Sequence, residues 1–108
     1  MLTKVKIMAG ACGYSSVVKI NKTGKMTIKI EIITACKALR SMNEDLKHID
    51  CSKDVFVKMV DSSIYKLASR KLRHTDCPVP AAIVKGIQVE LGGAIAKDVI
   101  IRFQKCID

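Results

Sequence analysis

The chain has 108 residues and a formal net charge of +9, with 49% hydrophobic and 27% charged residues. That is one domain's worth of chain with the balance of a folded globule, which excludes a disordered tail, a collagen, a coiled coil and a secreted disulfide knot. No run approaches the roughly 18 apolar residues of a membrane span, and Lys4 and Lys6 interrupt any signal-like apolar stretch, so a cytoplasmic single domain over 1–108 is expected.

From Leu2 to Ala9, Val5, Ile7 and Ala9 alternate with Lys4 and Lys6, the period of a half-buried strand. Gly10-Ala11-Cys12-Gly13 makes a tight turn into a second strand over Tyr14–Ile20. Asn21-Lys22-Thr23-Gly24 turns the chain again, and Met26, Ile28, Ile30 and Ile32 alternate with Thr27, Lys29 and Glu31 in a third. These three form a meander with one lysine-rich face.

Helical periods follow. Thr34 stands as N-cap to a helix striped by Ala35, Leu39, Met42, Leu46 and Ile49. A second helix is expected over 54–72, striped by Phe56, Met59, Val60, Ile64 and Leu67, with Ser62-Ser63 as its weak point. His74 to Pro80 ends it and opens a third over 78–91, proline being suited to a first turn. In this helix Ile83, Val84, Ile87 and Leu91 face one way, and Ala82, Gly86 and Val89 make a second, small-residue face. A helix apolar on two sides lies between elements or at a homodimer interface. Gly92-Gly93 stops it, and Val99, Ile101 and Phe103 mark a last strand over 98–104. The expected fold class is α+β: a three-stranded antiparallel meander, three helices and a final strand in a two-layer sandwich.

Five cysteines, an odd number with no C-x-x-C pair, point to reduced thiols rather than a disulfide framework. Buried free cysteine often acts as a small hydrophobe. Direction says more, because short connections make consecutive elements run antiparallel. If strand one climbs to Cys12, then Cys36, at the first helix start, and Cys77, at the third, lie at the same end with His74, and Cys106 ends there too. Cys51 and His48 fall at the other end. Helix N-termini stabilise thiolate at Cys36 and Cys77, while Asp76 opposes this at Cys77. Cys12, Cys36 and Cys77, with His74 or Cys106 as fourth ligand, suit zinc or an iron–sulfur cluster. Gly13, with Gly10, lets backbone approach such a group closely. His48-Ile49-Asp50-Cys51 and His74-Thr75-Asp76-Cys77 both read H-x-D-C before an expected helix, which ordinary capping chemistry accounts for.

Cys12-Gly13, Cys36 and the run His74-x-x-Cys77-Pro78-Val79-Pro80, followed by Lys97-Asp98-Val99, resemble a small uncharacterised family of short proteins from anaerobic bacteria and archaea. The resemblance covers nearly the whole length and implies no activity. Cys77-Pro78-Val79 with Cys36 is also similar to OsmC-type thiol peroxidases, although those place strands between their two cysteines and carry an acidic residue and an arginine with no counterpart here.

Three functions are thus expected in competition. The first is a thiolate metal or iron–sulfur site, and the second a dithiol redox enzyme using Cys36 and Cys77. The third is a basic module binding nucleic acid or an acidic protein. Nucleic acid is disfavoured by an excess that is mostly lysine, with only four arginines and 4% aromatic residues.

Overall fold

A computed structural model describes residues 2–107 of the chain. The meander forms where the alternation places it, with β1 at Leu2–Met8, β2 at Ser15–Lys22 and β3 at Thr27–Thr34, each antiparallel to the one before. Ile7, Val18, Ile20, Ile28, Ile30 and Ile32 are buried on one face of this pleat, where β-branched side chains pack well. Gly10 and Gly13 between the first two strands take φ of +84° and +80°, left-handed positions that glycine holds without strain. On the other face Lys4, Lys6, Lys29 and Glu31 are exposed, and Lys4 and Glu31 both stand opposite Lys19.

The helix expected over 35–49 is broken. A single turn, α1 (Lys37–Arg40), leads into a 3-10 turn over Asn43–Leu46 and then a two-residue strand, β4 (Ile49–Asp50), antiparallel to β3 at Ile28 and Thr27. Asn43 supplies the reason. Its Oδ1 accepts the Ile32 N–H at 2.7 Å and its Nδ2 donates to the Ile32 carbonyl at 3.0 Å. A side-chain amide thus stands in for a neighbouring strand and draws the chain off a helical path. The apolar stripe survives the break, with Leu39, Met42 and Leu46 buried.

The second helix is likewise shorter than expected. α2 spans only Ser63–Lys71, after a loop with a 3-10 turn at Met59–Asp61. Ser62 takes the N-cap position, and the Ser63 N–H donates to the Asp54 carbonyl at 2.7 Å, closing the loop on itself. Ile64 and Leu67 face the core as expected, but Phe56, Met59 and Val60 are exposed, and Val55 is buried in their place.

The third helix, α3 (Val79–Glu90), matches its expected span and lies across β1 and β2 with α2 beside it. Val79, Ile83, Gly86, Ile87 and Glu90 are buried. Gly86 corrects the expected second face, because a Cβ there would collide with the side chains of Ile20 and Val5. The small residue lets the helix approach the sheet, while Ala81, Lys85 and Gln88 face solvent. An interface through helix 78–91 therefore loses the centre of its small-residue face.

The strand expected over 98–104 is absent: residues 94–107 carry no regular structure and are exposed. Its alternation is that of a strand, but the sheet order β1-β2-β3-β4 ends at β1 with no further strand among the described residues, and the fourth strand comes from mid-chain. The architecture is α+β, a four-stranded antiparallel sheet with helices packed on one face. Among the described residues no helix is long and apolar enough to cross a membrane.

Candidate functional site

Three of the five thiols lie toward the end of the sheet where β1 turns into β2 and β3 finishes. Cys12 is exposed on the Gly10–Gly13 turn, which is closed by the Gly13 N–H on the Gly10 carbonyl at 2.9 Å and the Ala9 N–H on the Tyr14 carbonyl at 3.1 Å. The space beside Gly13 is open, with no atom within 4 Å of where a Cβ would stand. Cys36 is half-buried and follows β3 directly. It is held by Thr34, whose Oγ1 accepts the Cys36 N–H at 3.1 Å and the Ser16 hydroxyl at 2.9 Å. Thr34, expected to cap a helix, ends β3 opposite Ser16 and ties the next thiol to the sheet. The composition around it offered one signal, a hydroxyl two residues before Cys36.

Cys77 is half-buried at the entry to α3 and packs against the core. Its N–H donates to the His74 carbonyl at 3.2 Å, the turn that brings the chain into the helix. Burial pushes the Cys77 thiol up, the Val79 N–H bonded to its sulfur opposes this, and the negative charges available to Cys36, Cys12 and Asp76 push it up further. The net direction corrects the expectation that the helix terminus would favour thiolate at Cys77: desolvation outweighs one backbone donor. Cys36 and Cys12 both lie within electrostatic reach of Cys77.

The remaining candidates are placed differently. His74 is exposed, and what it contributes to Cys77 is its carbonyl. Cys106 is exposed in the C-terminal segment, whose expected strand would have carried it to this end. Cys51 is buried in the core at the far end, as its direction implies, and its N–H donates to the Met26 carbonyl at 2.7 Å. The H-x-D-C repeat has no common role. Asp50 accepts the Ser52 N–H at 2.9 Å and the Ser52 hydroxyl at 2.6 Å, which hold its carboxyl below the usual range, in a turn that leads to no helix. Among the described residues no group of three or more His, Cys, Asp or Glu side chains is gathered so as to hold a metal ion as it stands. The three thiols are neighbours rather than a closed coordination shell.

The model of one family, described as a family of unknown function (DUF6951), matches residues 3–103. No curated protein matches the chain, and no solved structure does.

Proposed function

The chain belongs to the DUF6951 family, and we propose that Cys12, Cys36 and Cys77 form a soft-metal site for zinc or an iron–sulfur cluster. The observation that carries this reading is placement: Cys12 on the β1–β2 turn, Cys36 just after β3 and Cys77 at the entry to α3, with Cys36 and Cys12 near enough to Cys77 to add to the burial that opposes its ionisation. A bound cation reverses that balance, because metal binding deprotonates thiols and turns like-charge repulsion into shared attraction. Cys12 is the exposed ligand, on a glycine turn with open space beside Gly13, while Thr34 anchors Cys36 and the α3 entry places Cys77. His74 or Cys106 supplies a fourth donor, and zinc takes four such ligands. Five free cysteines also suit a reducing compartment such as the cytoplasm.

The dithiol alternative, with Cys36 and Cys77 used as in OsmC-type thiol peroxidases, needs a thiolate at neutral pH, and burial favours the protonated thiol at Cys77. A nucleic-acid role for the lysine face gains no stacking aromatic from the sheet, whose exposed polar positions include Lys4, Lys6, Lys29 and Glu31. Anaerobic purification followed by elemental analysis and visible spectroscopy tests the reading. Stoichiometric zinc, or iron with cluster absorption, is expected in the parent chain and in Cys51→Ser, and is lost in Cys77→Ser. Failure of the parent chain to retain metal as purified, and to take it up from added zinc or from iron and sulfide, overturns the site.

A further inference from the structure

The C-terminal segment exposes apolar side chains that nothing among the described residues covers. Ile95, Ile100, Ile101, Phe103 and Ile107 are 81, 67, 70, 94 and 101% exposed, and Val99 joins them at 59%. The molecule is drawn out to 52 Å along one axis against 29 and 25 Å along the others. Folded proteins seldom leave contiguous apolar surface of this kind without a partner for it. A tail that stays extended by preference is polar. Here Val99, Ile101 and Phe103 fall on one side at the period of a strand, and Asp98, Ile100, Arg102 and Gln104 on the other, so one side is wholly apolar and the opposite one mostly polar.

A strand needs an edge, and the sheet has one long one. The outer side of β3 is taken by β4 at Thr27 and Ile28 and by the Asn43 amide at Ile32, whereas among the described residues nothing pairs with the outer side of β1. The segment also sets out from beside that edge. Glu90, the last residue of α3, accepts the Thr3 hydroxyl at 2.7 Å, so the chain leaves the helix next to the start of β1.

We propose that the segment over 95–107 is a strand exchanged between two copies of this chain, each seated on the free β1 edge of the other. Every copy supplies one strand and one edge, so a two-fold pair satisfies both at once, while a foreign strand or a foreign edge satisfies only one of them. The area is sufficient. At roughly 150–200 Å² per large side chain, one segment presents on the order of 800 Å² of apolar residues. Two reciprocal segments, with the surface they cover, reach the ~1,200–2,000 Å² of a stable interface.

Sedimentation and hydrogen exchange on the full chain test this. A dimer at micromolar concentration is expected, with slow exchange in β1 and over 99–103. The double variant Ile101→Asp, Phe103→Asp changes only side chains exposed in the subunit, so slow exchange in β2, β3 and α3 stays that of the parent and shows that the subunit remains folded. Its dimer dissociation constant rises about 100-fold or more, and β1 exchanges faster. A monomeric parent chain overturns the proposal, including a monomer whose own segment is protected on its own edge. So does a dimer that survives the double variant, or one whose protection falls on Met59–Tyr65 instead of β1. None of these outcomes depends on metal at Cys12, Cys36 and Cys77, so this proposal and a metal site completed by His74 fail independently.

Discussion

At one end of the sheet Cys77 has two other thiols within electrostatic reach, and at the other Cys51 is sealed in the aliphatic core with Asp50 and Asp54 as the charges that reach it. Both thiols are pushed up, Cys51 to about 11, and burial is the largest cause in each. The shared direction hides a difference in use. The carboxylates that oppose Cys51, Asp50 in β4 and Asp54 after it, are exposed, and no second sulfur acts on it. Two of the three charged groups that oppose Cys77 are sulfurs, one of them exposed on the Gly10–Gly13 turn, and the third is Asp76. Burial by itself makes a thiol inert. A buried thiol with sulfur neighbours is a place where a cation changes the outcome.

The far end is also where the sheet and α3 are joined by a buried carboxylate, and the largest expected effect lies there. Glu90 is 5% exposed and accepts the Thr3 hydroxyl at 2.7 Å and the Lys22 N–H at 2.9 Å. A negative charge at a helix C-terminus is unfavourable for the macrodipole, and these two donors offset that cost. Glu90→Ala leaves both donors unpaired in a part-buried place and is expected to lower stability by about 2–4 kcal/mol, with Glu90→Gln losing less. Urea unfolding at neutral pH checks it, and equal stability of parent and Glu90→Ala would show that the junction does not hold the end together.

The next effect sharpens the contrast through pH. Below pH 9 the Cys51 thiol keeps its proton whether the chain is folded or unfolded, while between the ordinary 9.0 and about 11 only the unfolded chain releases it. Stability therefore falls as pH rises through that window, by about 2–3 kcal/mol for a shift of this size. Cys51→Val removes this share of the loss, so its unfolding free energy falls less steeply over the same window. Parallel profiles for parent and variant would mean that the Cys51 thiol titrates no differently in the folded chain. The smallest effect belongs to the sulfur end. Thr34→Val removes the acceptor of the Cys36 N–H and the Ser16 hydroxyl and is expected to cost about 1 kcal/mol. Zinc affinity, read by competition with a chromophoric chelator, falls by about 10-fold, as for other groups that orient ligands. Unchanged affinity would remove Thr34 from the site.

What was legible in the sequence follows from how local each signal is. The three strands and α3 carry period-2 and helical patterns bounded by glycine or proline, and each has a surface in the chain to pack against. The stretch from Ala35 to Ile49 carries a true apolar stripe, yet its backbone path is decided by one side chain, Asn43, bonding to Ile32 eleven residues earlier. No window of periodicity reports such a bond. Phe56, Met59 and Val60 fit the same helical period as Ile64 and Leu67, but Ser62 starts the helix after them. The expected convergence of Cys77 with Cys36 and Cys12 rests on alternating direction, which β1, β2 and β3 obey, whereas the helix assumed to carry the chain away from Cys36 is broken. Placing Cys106 beside them needed a final strand for which the single chain offers no seated partner. The role of Thr34 was hidden because capping and anchoring call for the same hydroxyl.

The Asn43 amide has one more consequence. By occupying both backbone groups of Ile32, it closes the upper reach of β3 without adding a strand, leaving β1 as the side from which the sheet can grow. An aggregating strand that approached β3 would first have to evict a side chain bonded through both its oxygen and its nitrogen. The fold is in this sense polarised: one flank is sealed against misassembly by a single asparagine, and the other stays receptive.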